Sequence, residues 1–196
     1  MTYNWEQIDQ GSSGALGSPT DNAPLFRSVE PSLDPMRYFP NLEHIVSNTS
    51  SDDEILPSYT RDMSFSFNIR DQQGGVDFRS TSVSVTENSG PFVVISPEIN
   101  TSVIFNEEME VTWDVANTDD AIVNCQSVSI LLSTDGGVNF HHVLIESTSN
   151  DGSVFVTIPA IASEECRIMV RAIDNIFYDV TNADLIIKEP VYPYSF

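Results

Sequence analysis

A chain of 196 residues with 29 acidic and 8 basic side chains, net charge −21, argues against nucleic acid and anionic membrane as partners, since both are bound through clustered lysine and arginine. No apolar run approaches the roughly 20 residues that span a bilayer, which argues against membrane insertion, while a hydrophobic content of 40% is enough to build a core. The length admits one large or two ordinary domains at roughly 100–150 residues each.

Met1 is followed at once by Thr-Tyr-Asn-Trp-Glu-Gln-Ile, in which Tyr3 and Trp5 alternate with polar residues as in the middle of a strand. No signal peptide is legible there, and the expectation is a piece cut from a longer chain. Gly11 to Pro24 collects Gly, Ser, Pro, Asp and Asn and reads as a surface loop. Leu25 to Val29 has the pattern of a brief pairing. The stretch from Pro31 to Pro57 is irregular, with Pro35 and Pro40 between. Within it Asn41 to Val46 predicts a short helix, Asn41 capping and Leu42, Ile45 and Val46 inward. Asp52-Asp53-Glu54 reads as a solvated turn.

Met63, Phe65, Phe67 and Ile69 alternate with Ser64, Ser66, Asn68 and Arg70, which is a strand with one wet face. Gly74-Gly75 reverses the chain and Val83 and Val85 mark a closing strand. Residues 1–86 thus form a first β-sandwich-like module with a long irregular insertion, short of strands for its length and expected to be incomplete. Residues 87–90, Glu-Asn-Ser-Gly, read as a linker.

Residues 91–190 repeat strand patterns at 92–95, 109–115, 127–133, 142–146, 153–158, 167–173 and 184–188, separated by Gly, Asn, Asp or Pro. Met109, Val111, Trp113 and Val115 give the clearest alternation, and Trp113 is expected in the core. Such a succession of short strands predicts an immunoglobulin-like or fibronectin-like sandwich. The fold class is all-β, two such modules in tandem, followed by a tail at 191–196 that carries Tyr192, Tyr194 and Phe196.

No complete catalytic constellation is legible. A hydrolytic zinc site needs two imidazoles on one helix face; the histidines are His44, His141 and His142, and the last two are adjacent, pointing to opposite faces of a strand. No Gly-x-Ser-x-Gly or phosphate-binding glycine loop occurs. Ser133 to Phe140 resembles the Asp-box hairpin of sialidases and related propellers. A single copy reads as a fold-stabilising turn, with Asp accepting turn amides and Gly permitting positive φ.

In this topology the loop after the second strand and the loop before the last strand share a pole. Asp114, Asp119 and Asp120 in the first, with Asp174 and Asp179 in the second, are the candidate calcium ligands, because calcium takes six to eight oxygens. Ordinary turn chemistry is the alternative, and no other cofactor is implied. Cys125 and Cys166 precede neighbouring antiparallel strands whose starts lie roughly 20 Å apart at about 3.3 Å per residue. That separation exceeds the reach of a disulfide, so two free thiols are expected. Asn48-Thr49-Ser50 and Asn100-Thr101-Ser102 are formal glycosylation sequons.

Val111 to Ala116, Val123-Asn124-Cys125, Ile130 to Gly137, Asn150 to Ser153, Arg167 to Val170 and Asn175 to Val180 together resemble the accessory region of secreted bacterial reprolysin-like zinc metallopeptidases. Tyr3 to Gln7, Pro24 to Ser28 and Arg37 to Pro40 resemble the segment after the catalytic domain in such proteins. The catalytic His-Glu-x-x-His helix has no counterpart here, so neither zinc nor peptidase activity carries over. The resemblance implies an exported, extracellular parent and a non-catalytic role: spacing, stabilisation, or engagement of substrate or surface. Its partner would be the parent catalytic domain or an extracellular protein or glycan. The alternative is a glycan- or protein-binding adhesion module, calcium-stabilised, using exposed aromatics such as Tyr178 or Phe140.

Overall fold

The computed structural model describes residues 1–15, 17–98 and 101–191. The tail aromatics and Asn100 of the second sequon lie outside the described residues. The chain divides into two units: Met1–Ile45 with Thr49–Glu87, and Asn88–Phe196 with Val46–Asn48. The first carries 13 acidic and 5 basic residues, the second 16 and 3.

The first unit is built on one antiparallel sheet in the order β1-β2-β3, formed by β1 (Thr2–Gln7), β2 (Arg61–Arg70) and β3 (Val76–Val85). β2 and β3 pair without a register shift from Arg61↔Val85 to Arg70↔Val76. The alternation in β2 sets the buried face: Met63 and Phe65 pack with Leu25 and Phe26, with Trp5, Phe39, Val83 and Val85 at the margin. Most of β3 went unmarked in the sequence because Asp77, Arg79, Ser80, Thr81 and Ser82 are all exposed. With one wet flank and no inward apolar series before Val83, that strand carries no period-2 signal.

The second layer of this unit is loop rather than sheet. Gln7 Oε1 accepts the main-chain N–H groups of Leu25 (2.7 Å) and Phe26 (3.0 Å), seating the Pro24–Phe26 turn beside β1. The phenyl rings of Phe26 and Phe39 meet edge-on at 5.0 Å, and Phe39 reaches Phe65 at 5.1 Å. Arg37 then ties the layer together. Its guanidinium lies over the Phe39 ring at 4.4 Å and donates to Trp5 O (2.6 Å), Arg27 O (2.8 Å) and Glu54 Oε1 (2.7 Å).

This corrects the expectation for Glu54. Its side chain is only 9% exposed, because it answers Arg37 and accepts the Asn41 N–H as well. The helix α1 (Leu42–Val46) is present and Asn41 Oδ1 caps it by accepting Glu43 N–H, but none of its residues is fully buried. A five-residue helix has too few turns to present a buried stripe.

The second unit is an immunoglobulin-like β-sandwich. One sheet runs β5-β12-β10-β7-β8, with β11 also on β10; the other runs β4-β6-β9. The strands are β4 (Val93–Ser96), β5 (Ser102–Ile104), β6 (Glu108–Asp114), β7 (Ser127–Ser133), β8 (His142–Ser149), β9 (Ser153–Thr157), β10 (Ser163–Ala172), β11 (Tyr178–Val180) and β12 (Leu185–Lys188). Val94, Met109, Val111, Trp113 and Val156 from one sheet interdigitate with Val128, Ile130, Leu132, Ile168, Val170, Leu185 and Ile187 from the other. Trp113 is in the core, as its alternation predicts. The strands that patterning did not show, β5 and β11, have three residues each, too few for a period to register.

Cys166 lies inside β10 rather than before it, paired with Leu185. β7 and β10 are antiparallel from Arg167↔Ser133 to Ala172↔Val128, so Cys125 and Cys166 sit at opposite ends of the sandwich. Both are buried free thiols.

Arg37 and Glu54 are an almost dry ion pair, and removing one partner strands the other. Arg37→Met is therefore expected to cost about 3 kcal/mol in urea unfolding. It should also expose the 20–58 segment to limited proteolysis while leaving β6–β10 protected.

Candidate functional site

The two acidic loops of the second unit do share a pole. β6 ends at Asp114 opposite Val93, β7 begins at Ser127, and the Ile173 N–H donates to Ser127 O (3.1 Å). The long loop 115–126 therefore lies beside the 173–177 turn. What holds it is one amide. Asn150, buried to 4% exposure, accepts from Trp113 Nε1 (2.9 Å) and donates to Thr118 Oγ1 (2.9 Å) and to Cys125 O (3.0 Å). Its own N–H donates to Gln126 O (3.0 Å), while Cys125 N–H donates to Thr118 O (2.9 Å) and Thr118 Oγ1 to Val115 O (2.7 Å). These hydrogen bonds close the loop from inside. Burial pushes the Cys125 thiol up, with the nearby Asp174 carboxylate adding to the shift.

The candidate calcium ligands are distributed over this pole without converging. Asp114 is exposed and its Oδ1 accepts Ala116 N–H (2.9 Å) in a local turn. Asp119 and Asp120 are exposed, the main chain of Asp120 accepting Asn124 N–H (2.6 Å). Asp174 is exposed on the neighbouring turn.

Asp179 belongs to a strand, β11, and not to the loop in which it was expected. Its Oδ2 accepts the Val94 N–H (2.7 Å), linking β11 to β4 of the opposite sheet. Burial raises this carboxyl, the hydrogen bonds from Val94 and Val180 only partly offsetting it. Among the described residues, no three His, Cys, Asp or Glu side chains gather into a group that could hold a metal ion.

The pole has a different occupant. The Gly90 N–H donates to Ala116 O (2.8 Å), Ser89 Oγ to Asn117 O (3.0 Å) and Asn117 Nδ2 to Asn88 O (3.2 Å). Asn88, Ser89 and Gly90, three residues of the expected linker, are thus hydrogen-bonded to loop 115–126. Ala116 and Asn117 both adopt positive φ, 49° and 59°, which turns their carbonyls toward the incoming chain. Sequence reasoning missed this because hydrogen bonds from a Glu-Asn-Ser-Gly segment leave no hydrophobic trace. The one available signal was Asn117, a residue type that tolerates the left-handed region.

At the other end of the sandwich, the Ser133–Phe140 hairpin is the structural turn its composition predicts. Ser133 Oγ donates to Asp135 Oδ1 (2.6 Å) and accepts Gly137 N–H (2.9 Å), and Asp135 accepts both the main-chain N–H (2.9 Å) and Nδ2 (2.8 Å) of Asn139. Gly136 and Gly137 carry φ of 72° and 88°. Phe140 is half-buried, as is Tyr178, so neither ring offers a flat exposed platform. Burial alone would raise the Asp135 carboxyl; the hydrogen bonds from Ser133 and Asn139, with the positive field of His141, outweigh it and hold the pKa at about 2.

No protein-family model matches the chain, and no characterised protein of similar sequence does. Among solved structures, the chain is similar to the Bacteroides ovatus mixed-linkage glucan utilization locus SGBP-B in complex with a mixed-linkage heptasaccharide. The two are 16% identical over 95% of this chain and 37% of that one, with a TM-score of 0.30. It is also similar to a chimeric titin Z1Z2-Z1Z2 tandem carrying a fibronectin GRGDS peptide, at 13% identity, 95% and 83% coverage and a TM-score of 0.31. A chimeric titin Z1Z2 carrying a decorin KLER peptide gives 11% identity, 65% and 62% coverage and 0.29. The chain spans 37% of the SGBP-B chain it matches. Likenesses at these TM-scores carry no functional argument.

Asp135 supplies a pH test. Its folded pKa is depressed, so its contribution is complete above the ordinary value of 3.8 and is lost as pH falls through about 2. The urea midpoint of the parent chain should exceed that of Asp135→Asn at pH 5, and the difference should close as pH approaches 2.

Proposed function

We propose that this chain is a non-catalytic pair of β modules that supports and spaces the functional parts of a longer, exported protein. The observation that carries the reading is the fastening of Asn88, Ser89 and Gly90 to Ala116 and Asn117. A loop whose interior is tied by Asn150, and whose rim carbonyls receive residues 88–90 of the same unit, supports a structural role rather than turnover of a substrate. The polar groups with the best geometry elsewhere are also committed to main chain: Asp179 to Val94, Asp135 to Asn139, Arg167 to Thr181 O (2.7 Å). That commitment supports a scaffold, since a catalytic group must keep a free proton position or lone pair for its substrate.

The wider context rests on the sequence resemblance alone. On that basis the parent is an exported zinc metallopeptidase, with these modules following its catalytic domain. The large acidic excess of both units suits an extracellular surface that stays soluble and repels anionic partners.

The discriminating experiment incubates the 196-residue chain with casein in the presence of zinc and, separately, with a panel of immobilised β-glucans and other glycans. The reading predicts no zinc-dependent cleavage and no saturable retention on any glycan. Zinc-dependent proteolysis abolished by a chelator would overturn the non-catalytic assignment. Saturable retention on one glycan would favour the binding-module alternative.

A further inference from the structure

Edge strands carry unpaired main-chain groups, and proteins usually blunt them by shortening, bulging or covering them. Most edges of this chain follow that rule. β1 is bridged by Ser32, with Tyr3 N–H to Ser32 O and Ser32 N–H to Tyr3 O both at 2.8 Å. β4 has four residues and a register shift, β5 has three residues, β9 has five, and the register of β8 shifts twice. β3 is the exception. It is ten residues long, pairs with β2 without a shift, is exposed from Val76 to Ser82, and among the described residues no strand lies on its far side.

The phase of the ladder says which groups face outward. The Ile8 N–H donates to Ser64 O (2.8 Å) and the Asp71 N–H to Gly75 O (3.1 Å). Ser64 therefore turns its main chain toward β1, and alternation turns Met63, Phe65, Phe67 and Ile69 toward β3. Their register partners Val83, Thr81, Arg79 and Asp77 bond back to β2. Val76, Phe78, Ser80, Ser82 and Ser84 then present their N–H and C=O groups to the open side. At Phe78 these groups are plugged locally. Asp77 Oδ1 accepts the Phe78 N–H (2.9 Å), and Arg79 Nη1 donates to Phe78 O (2.7 Å) and to Asp77 Oδ1 (2.8 Å). The Asp77–Arg79 pair is 63% and 76% exposed, so releasing it costs little.

We propose that the open edge of β3 pairs with β3 of a second copy of this chain, antiparallel, about a two-fold axis at Phe78. Only a register centred on an outward-facing residue lets both copies use their free groups at the axis as a hydrogen-bonded pair. Centring it on Phe78 places Asp77 directly opposite Arg79 of the other copy, twice, and Phe78 opposite Phe78. Val76 then exchanges hydrogen bonds with Ser80. Opposite charges and aromatic pairs in register are the cross-strand combinations that stabilise a sheet. The sequence Asp-Phe-Arg is thus self-complementary when read antiparallel, and that charge pattern is what selects a second copy as the occupant. The intramolecular plug becomes an intermolecular pair, and the three-stranded sheet becomes six-stranded. The interface is small and both partners are acidic, so association is weak and strengthens with salt, which screens the overall repulsion.

Sedimentation equilibrium of the 196-residue chain, from micromolar to near-millimolar concentration and at low and high salt, reads the proposal directly. The expected result is a monomer–dimer equilibrium that moves toward dimer with salt. Ser80→Pro removes only an outward N–H, leaving the β2 ladder intact, and should weaken dimerisation at least tenfold with thermal unfolding little changed. Arg79→Asp should abolish it by setting Asp77 against aspartate, and the exchanged pair Asp77→Arg with Arg79→Asp should restore it. A monomer at every concentration and salt would overturn the proposal, as would a dimer indifferent to Ser80→Pro or not rescued by the exchanged pair.

Discussion

The second unit depends on the side-chain amide of Asn150. A loop of a dozen residues between β6 and β7 has to cross the end of a sandwich whose interior is apolar. Its main-chain groups must find partners there or be buried at a cost of about 1–3 kcal/mol each. Asn150 answers two of these demands, Cys125 O with its side-chain amide and Gln126 O with its own N–H, and the same side chain also engages the Trp113 indole N–H and the Thr118 hydroxyl. The indole is the reason the residue must be an amide. Trp113 fills the core with its ring but brings an N–H that needs an acceptor, and Asn150 provides the acceptor while keeping two donors for the loop.

From that point the organisation runs outward. With 115–126 closed from inside, Ala116 and Asn117 are held in the left-handed region, and their carbonyls receive Gly90 and Ser89. The side chains of Asp114, Asp119, Asp120 and Asp174 are left exposed at the rim, and among the described residues they do not gather into a cation-holding group. Asp179 makes the same point from the other sheet: a carboxylate expected as a ligand spends its oxygen on the Val94 N–H, a bond that partly offsets the upward push of burial on its pKa. In the first unit Arg37 has the corresponding office, gathering the main-chain carbonyls of Trp5 in β1 and of Arg27 and the Glu54 carboxylate into one nearly dry knot. In both units a single multi-valent polar side chain orders irregular chain that the hydrophobic pattern leaves undetermined.

That division explains what was legible in the sequence. The strands of the second unit could be read because Met109, Val111 and Trp113, or Val128, Ile130 and Leu132, alternate against a core. β3 was mostly invisible since its flank is wet, and β5 and β11 since three residues hold no period. Glu54 closes the expected turn over Asp52 and Asp53 but is not solvated, and composition gives no sign of that because its partner Arg37 lies 17 positions away in an irregular stretch. The shared pole of the acidic loops followed from topology, whereas the directions of their side chains did not. Those were decided by hydrogen bonds to main chain, which leave no pattern in composition or spacing.

Asn150 closes the pole of the second unit and so holds residues 88–90 against loop 115–126. Amide hydrogen exchange on Asn150→Ala reads it most directly. The account predicts that Thr118, Asn124, Cys125 and Gly90 lose protection together, while the amides of β2 and β3 exchange as in the parent chain. Unchanged protection at Gly90 and Cys125 would contradict it.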